Sequence, residues 1–198
     1  MLGINMKGVE AAGNYPRPKA GAYIIRITKA TNNPGKKRVE FEFDIAAGDF
    51  KGYFADLYDR AHFWGGNFSK SYTEKAMGFL RAFVDAVQAS NEDANGIIVE
   101  VDGEEDIDET KLVGKVVGMV VGEKEYIGND GQIKVKLDTY NATFITISDL
   151  NEGKYTVPEF VPVNMGQAQP AAAGNVVDTT SDAAIEGFGP VSDDETPF

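Results

Sequence analysis

The segment KRVEFEFDI, residues 37–45, carries the clearest structural signal in this chain. Apolar and charged residues alternate along it, in the order Arg38, Val39, Glu40, Phe41, Glu42, Phe43, Asp44 and Ile45. Because successive side chains of a β-strand point to opposite faces, the alternation predicts a strand with one face in a core and the other in solvent.

Two further strands are predicted around this one. The β-rich segment AYIIRIT, residues 22–28, precedes it, and the turn sequence Asn32-Asn33-Pro34-Gly35 separates the two. A second turn follows at residues 46–49. The segment FKGYFADLYDR, residues 50–60, is then predicted to form the third strand.

The apolar period changes to that of a helix in SYTEKAMGFLRAFVDAVQAS, residues 71–90. The apolar positions with helical spacing are Ala76, Phe79, Leu80, Phe83 and Val87. They predict one helix of about four turns, with Thr73 or Ser71 as its N-cap. The phenylalanines predicted to lie in the core are Phe41, Phe43, Phe79 and Phe83.

Two more strands are predicted after the helix, in LVGKVVGMVVGEKEYI, residues 112–127, and QIKVKLDTYN, residues 132–141. Between them, Gly128-Asn129-Asp130-Gly131 is a hairpin turn signal. In the second segment, Ile133, Val135 and Leu137 alternate with charged residues, as expected for a half-buried strand.

The predicted order is therefore three strands, one helix and two strands. This is the order of the OB-fold, a five-stranded barrel, here with the helix between strands 3 and 4. We expect such an all-β domain with one helix over residues 1–163. Beyond it the composition shifts to Gly, Ala, Gln, Asn, Ser and Thr, with too little apolar content to offset the entropy of ordering. Residues 164–198 are predicted to be a disordered acidic tail.

The net charge of -12 is distributed unevenly along the chain. All 19 Lys and Arg residues precede residue 155, and residues 155–198 carry seven acids and no base. A second acidic block, residues 92–109, carries nine acids and no base, whereas residues 1–91 hold 13 bases against nine acids. The low pI thus conceals a mildly basic first half, which keeps nucleic acid among the candidate partners.

Composition and motifs exclude several functional classes. Cysteine is absent and His62 is the single histidine, which excludes disulfide scaffolds and Cys/His zinc sites. There is no phosphate-cradling Gly-rich motif, G-x-S-x-G or H-E-x-x-H, and the acids of 92–109 lack the spacing of a calcium loop. We expect no metal, no cofactor and no enzymatic activity. The acidic block is interpreted as a solvated insertion, with a weak divalent-cation site or an electrostatic shield as alternatives.

The longest apolar run, residues 116–121, is far too short to cross a bilayer, and the N-terminus lacks the pattern of a secretion signal. We expect a soluble, unexported protein without a membrane partner. The absence of cysteine is compatible with a reducing compartment.

Basic and aromatic residues fall where an OB barrel presents its ligand surface, on strands 2 and 3 and on the loops joining strands 1 to 2 and 4 to 5. Cations neutralise the backbone of a single strand, and flat rings stack on its bases. The candidate DNA-binding residues are Arg26, Lys36, Lys37, Arg38, Phe54, Tyr58, Arg60, Phe63, Trp64, Lys134, Lys136 and Tyr140. A place in the core is the alternative for each ring, and Phe54, Tyr58 and Trp64 are the favoured stacking residues.

The chain ends in SDDETPF, residues 192–198. This ending resembles the acidic tip of bacterial-type single-stranded-DNA-binding proteins, which recruits replication, recombination and repair proteins. The body resembles phage-encoded OB-fold proteins of replication modules that are regarded as single-stranded-DNA-binding, through PKAGAYIIRITKA, DFKGYFADLYDR and LVGKVVGMVVGEKEYIGNDGQIKVKL. The resemblance to the tip implies a partner-binding role for Asp193, Asp194, Glu195, Pro197 and Phe198.

Together the resemblances imply a protein that binds single-stranded DNA with little sequence preference during phage replication or recombination, in the cytoplasm of the host cell. The tip would recruit its partner enzymes. Two alternatives from other classes are a phage structural or assembly protein whose acidic tail engages a capsid or chaperone partner, and an adaptor that uses only the tail. A tail that serves solubility alone is a further alternative. Self-association into a homo-oligomer is left open by the sequence.

Overall fold

The computed structural model describes residues 16–163, which are mostly β-structure with few helices. The strands are β1 (Gly21–Asn33), β2 (Arg38–Ile45), β3 (Asn67–Ser71), β4 (Ile98–Val101), β5 (Glu104–Ile107), β6 (Val116–Val121), β7 (Glu123–Ile127), β8 (Ile133–Leu137) and β9 (Thr143–Ile145). The helices are α1 (Tyr53–Ala61), α2 (Met77–Ser90) and α3 (Ile147–Asn151). Short 3₁₀ turns lie at Pro34–Lys36, Glu109–Leu112 and Thr139–Asn141.

The main sheet is a curled half-barrel of five strands in the order β3-β2-β1-β6-β9. Every neighbouring pair in it is antiparallel. Consecutive strands β1 to β3 form a meander, and β6 returns after a long connection to pair with the free side of β1. This is the strand order of a Greek key.

The alternation in β2 is confirmed. Val39, Phe41, Phe43 and Ile45 are all buried, whereas the intervening charged side chains are partly exposed. Ile25 and Ile27 of β1 join them in the core, at 0% exposure. One face of the sheet is thus a core face, and the charged face of β2 is left to solvent.

Four phenylalanines from separate elements form the centre of the core. Phe41 of β2 stacks on Phe68 of β3, with ring centroids 4.8 Å apart. Phe83 of α2 packs edge-on against Phe41 at 5.2 Å, and Phe144 of β9 lies 4.9 Å from Phe83. Such ring contacts contribute about 0.5–1.5 kcal/mol each beyond the area they bury. They fix α2 against both edge strands of the sheet.

The prediction of a third strand at residues 50–60 is wrong, because most of that segment forms α1. Asp44 on β2 caps this helix, since its carboxylate accepts hydrogen bonds from the backbone N–H groups of Phe54 (2.9 Å) and Ala55 (3.2 Å). A carboxylate at this end also interacts favourably with the helix dipole. The third strand is β3 instead. It is preceded by Gly66, where a Cβ atom would lie 2.2 Å from the carbonyl oxygen of Phe43.

The helix predicted within residues 71–90 is present as α2, but its start and one of its core residues differ from the prediction. Its N-cap position is Ala76, and no side chain caps it. The predicted cap Thr73 bonds to the start of the helix through its backbone instead, since its carbonyl oxygen accepts a hydrogen bond from the N–H of Met77 at 2.9 Å. Phe79 is 42% exposed rather than buried. Leu80, Phe83 and Val87 are buried as predicted, and Val84 and Ala86 are buried in addition.

Of the last two predicted strands, the first is divided between the main sheet and a separate hairpin, and the second lies in that hairpin alone. The fifth strand of the main sheet is instead β9, at Thr143–Ile145, beyond the predicted segment. Residues 112–127 form β6 in the main sheet and β7 beyond it, and residues 132–141 contribute β8, which pairs only with β7. The division falls at Gly122, where a Cβ atom would lie 3.1 Å from the Cβ atom of Pro158. The predicted turn is confirmed, with the N–H of Gly131 bonded to the carbonyl oxygen of Gly128 at 2.8 Å. We call the β7–β8 hairpin the arm.

The acidic block of residues 92–109 contains a separate hairpin, β4–β5, whose strands are mostly exposed. Within residues 16–163, no group of acids and histidine is arranged to hold a metal ion, and no helix is long and apolar enough to cross a membrane. The predicted acidic tail, residues 164–198, lies outside the described residues.

Candidate functional site

An open groove of about 730 Å³ runs along the charged face of the main sheet. One side is formed by α1 and the loop after it, and the other by the arm. The residues that line it include Arg17, Lys29, Arg38, Glu40, Glu42, Tyr53, Phe63, Asn67, Ser69, Tyr126, Lys136 and Tyr140. The groove is thus built from the strand face left to solvent by the alternation in β2.

Charged side chains in cross-strand contact form the floor of the groove. Glu42 of β2 is opposite Lys29 of β1, whose Nζ lies 2.9 Å from Glu42 Oε1. On the same face of β2, Arg38 Nη2 lies 2.8 Å from Glu40 Oε1. The hydrogen bond from Arg38 holds the pKa of Glu40 below its usual value, so this carboxyl stays ionised at neutral pH. The floor therefore presents both hydrogen-bond donors and acceptors.

The walls supply the exposed rings. Phe63, in the loop after α1, lines the groove with 61% of its surface exposed, which is high for a phenylalanine. Tyr126 on β7 is 37% exposed on the opposite wall. Because both rings are partly exposed, they can stack on flat ligands without disrupting the core.

The arm carries cations and rings on one face. The side chains of Lys124, Tyr126, Lys134 and Lys136 share this face, because Lys124 is opposite Lys136 and Tyr126 is opposite Lys134. Lys136 Nζ lies 5.0 Å from the Tyr126 ring centroid, and Lys124 Nζ lies 6.0 Å from that of Tyr140. Asp130 in the turn pairs with Lys134 at 2.8 Å and raises the pKa of that lysine.

Most cations that line the groove are already paired with acids. Arg17 pairs with Glu123 at 2.9 Å, and Lys29 and Arg38 pair with the floor carboxylates. Lys136 lies over a ring and has no ion pair within residues 16–163. This lysine is therefore the groove cation with the greatest capacity to bind an added anion.

The groove gathers some of the sequence-predicted DNA-binding residues. Those that line it are Arg38, Phe54, Phe63, Lys136 and Tyr140. The Phe54 ring is only 5% exposed and packs edge-on against Phe43, with centroids 5.2 Å apart. Since it belongs to the core and offers no free face to a base, we remove Phe54 from the candidate stacking residues.

The other predicted residues lie outside the groove lining. They are Arg26, Lys36, Lys37, Tyr58, Arg60, Trp64 and Lys134. Lys36 and Lys37 are exposed at the turn between β1 and β2. Trp64 is partly buried against the core and donates from Nε1 to the carbonyl oxygen of Gly66 at 2.9 Å. Tyr58 is 49% exposed on α1, with its ring 6.3 Å from that of Trp64.

Sequence reasoning missed several groove residues, among them Lys29, Tyr53, Asn67, Ser69 and Tyr126. Counting outward from the predicted turn would set Tyr126 opposite Ile133, but the actual register sets it opposite Lys134, because the N–H of Gly128 bonds to the carbonyl oxygen of Gln132 at 2.8 Å. Asn67 and Ser69 could not be found either, because the strand that carries them was assigned to a different segment.

A second pocket, of about 580 Å³, lies between α2, β9 and the chain segment around Pro158. Lys70 of β3 lines it, with its Nζ 4.6 Å from the ring centroid of Phe144. Burial lowers the pKa of Lys70 to about 8. Lys70 has no ion pair within residues 16–163, so its charge is only partly compensated.

The predicted partner-binding residues, Asp193, Asp194, Glu195, Pro197 and Phe198, lie outside the described residues. Comparison of the chain with protein-family models and with curated protein sequences finds no match.

Proposed function

We propose that the main sheet and α2 form an OB-type barrel. Its support is the Greek-key order of β1, β2, β3 and β6, followed by a fifth strand, β9, beside β6. The two edge strands approach each other through Phe68 and Phe144, whose ring centroids are 4.6 Å apart. The side chain of Phe83 from α2 covers both rings. In this interpretation α2 is the helix that connects the third and fourth barrel strands.

We further propose that the groove binds single-stranded DNA with little sequence preference. One observation supports this proposal: the exposed rings of Phe63 and Tyr126 and the cation Lys136 line the same groove, together with residues from the solvent-facing side of β2 and β3. OB barrels hold oligonucleotides on that face and on the loop joining the last two strands, which here corresponds to the arm. The rings supply stacking planes and Lys136 a contact for a phosphate.

Stacking on rings and contacts to phosphates supply enough binding free energy without hydrogen bonds to particular bases. Each stacked base contributes about 1–3 kcal/mol, and each neutralised phosphate on a single strand contributes about -0.7 to the slope of log affinity against log salt. Two stacked bases and a few phosphate contacts give measurable affinity at low salt. Because the floor cations are already paired, we expect a shallow salt dependence compared with a fully basic groove.

In this proposal the protein acts without catalysis, in the cytoplasm of the host cell, by coating exposed strand during phage replication or recombination. The tip at residues 192–198 recruits partner enzymes through its acids and its terminal Phe198. Support for this second role comes from the sequence alone, since the tip lies outside the described residues.

Fluorescence anisotropy with labelled oligonucleotides tests the proposal directly. The full chain should bind single strands of mixed sequence at low salt, bind the corresponding duplex more weakly, and release the single strand as salt rises. Failure to bind any single strand at low salt would overturn the proposal and favour the structural or assembly alternative.

A further inference from the structure

The carboxylates of Glu40 and Glu42 are an unexpected feature of a groove that receives a polyanion. They lie two residues apart on the same face of β2, on the floor of the groove, with side chains 41% and 40% exposed. Negative charge there repels phosphates, so a bound strand is expected to direct its bases toward the floor and its backbone toward cations on the walls and rim, such as Lys136.

Each carboxylate retains one unused oxygen. Glu40 Oε1 accepts from Arg38 Nε (2.9 Å), Arg38 Nη2 (2.8 Å) and Asn33 Nδ2 (3.2 Å). Glu42 Oε1 accepts from Lys29 Nζ at 2.9 Å. Within residues 16–163, Oε2 of neither residue accepts a hydrogen bond. The neighbouring cations therefore fix the orientation of both side chains and leave two anionic acceptors for a ligand.

An ionised carboxylate accepts hydrogen bonds and donates none, so it discriminates among bases. Cytosine, adenine and guanine each carry an exocyclic amino group that donates. Thymine and uracil carry a carbonyl oxygen at the corresponding position, which would face the carboxylate as a second acceptor. Their N3–H donor is flanked by two carbonyl oxygens, so a carboxylate that approaches it also meets both of them.

We propose that Glu40 and Glu42 make the groove select bases with an exocyclic amino group, so that strands rich in cytosine, adenine or guanine bind more tightly than thymine- or uracil-rich strands. The inference rests on the proposed binding of single strands in this groove. The preference is graded, because stacking on Phe63 and Tyr126 accepts every base and only the floor discriminates.

The sharpest test compares oligo(dC) with oligo(dU) of equal length, at mildly alkaline pH where cytosine is unprotonated. Both are pyrimidines without a methyl group, and the hydrogen-bonding edge of the base distinguishes them. The full chain should bind oligo(dC) about threefold to tenfold more tightly, the range expected for one net hydrogen bond.

Glu40→Gln and Glu42→Gln keep the shape of each side chain but add a donor, which can bond to the uracil carbonyl. Both variants should bind all strands more tightly, because a negative charge is lost, and their oligo(dC) to oligo(dU) affinity ratio should fall toward one. Glu104→Gln, on the exposed β4–β5 hairpin outside the groove lining, is the matched control and should keep the wild-type ratio.

The outcomes separate this inference from the function on which it rests. Equal binding of oligo(dC) and oligo(dU) by the wild-type chain overturns the inference and leaves single-strand binding intact. An unchanged ratio in both groove variants, with thermal unfolding as in the wild type, shows that other groups select the base and also overturns it. Binding of neither oligonucleotide overturns the proposed function and the inference together.

Discussion

The ring of Phe68 on β3 lies 4.6 Å from the ring of Phe144 on β9, and this contact joins the two edge strands of the sheet. The edge strands themselves are not hydrogen-bonded to each other. Side-chain packing, with Phe83 of α2 against both rings, therefore links the two edge strands of the curled half-barrel where backbone pairing does not. Phe68 also borders the groove, so this contact connects the groove to the core.

We expect Phe68→Ala to lower the free energy of unfolding by about 3–5 kcal/mol, as for other large-to-small changes at fully buried phenylalanines. Phe144→Ala should cost less, because that ring is only partly buried. The double variant should show a coupling energy of about 0.5–1.5 kcal/mol between the two rings. Urea denaturation measures all three values. Phe160→Ala, at a ring that is 48% exposed, is the control, and additive effects at positions 68 and 144 would contradict this link between the edge strands.

The groove prediction concerns Phe63 and Lys136. Phe63→Ala should weaken binding of single-stranded DNA by about 1–3 kcal/mol if the ring stacks on a base. Lys136→Ala should reduce the salt slope by about 0.7, the contribution of one phosphate contact. Anisotropy titrations at several salt concentrations measure both effects.

Exposed residues outside the groove lining provide the controls for these two variants. Phe160→Ala and Lys154→Ala remove the same kinds of side chain, and both should bind as wild type does. If Phe63→Ala and Lys136→Ala, each folded, also bind as wild type does, the strand does not lie in this groove.

The sequence predicted those elements whose signals are local. The alternation in β2 and the turn at residues 128–131 were predictable because neighbouring residues carry them. α1 was not, because Asp44, which caps it, lies on the preceding strand and becomes its cap only after the chain has turned back. The aromatic residues of 53–58 fit a strand equally well until that cap is present.

Residues of the candidate site also divide into those with a local sequence signal and those that depend on distant parts of the chain. Arg38 and Lys136 were predictable from the clustering of bases near turns, and both line the groove. Tyr126 required the pairing register of the arm, and Asn67 and Ser69 required the correct third strand. Phe54 was assigned to the site because in a strand it would share a face with the charged Asp56, whereas in α1 its side chain is buried in the core.

A pH prediction follows from Lys70. Its pKa is lowered by burial from 10.5 to about 8, so between these values the unfolded chain binds more protons than the folded one. The stability of the fold should therefore rise as pH increases through this range, because the cost of burying the ammonium is relieved. Asp138 and Glu159 line the same pocket, and Asp138 is engaged by Lys124 at 2.7 Å.

Lys70→Met removes the buried charge and should stabilise the fold at neutral pH. In this variant the rise in stability between about pH 8 and 10.5 should be smaller than in the wild type. Thermal unfolding across this pH range measures the difference, with Lys154→Met as the exposed control. Parallel pH profiles for wild type and Lys70→Met would show that the ammonium carries no burial cost.

The last prediction concerns the tip, residues 193–198, which lies outside the described residues. The ring of Phe198 can insert into an apolar pocket of a partner, and the acids at 193–195 steer the segment toward a basic rim. The same anionic segment, tethered to its own chain, can compete with DNA for the cations of the groove.

Deleting residues 193–198 should therefore leave the thermal unfolding of residues 16–163 unchanged, keep or modestly tighten DNA affinity at low salt, and abolish capture of a replication or recombination enzyme. Phe198→Ala should reduce capture while retaining all three acids, which separates insertion of the ring from charge. Pull-downs and anisotropy titrations on the wild type and both variants measure these effects. Undiminished capture by both variants would refute recruitment through the tip, and loss of DNA binding on deletion would refute competition with DNA.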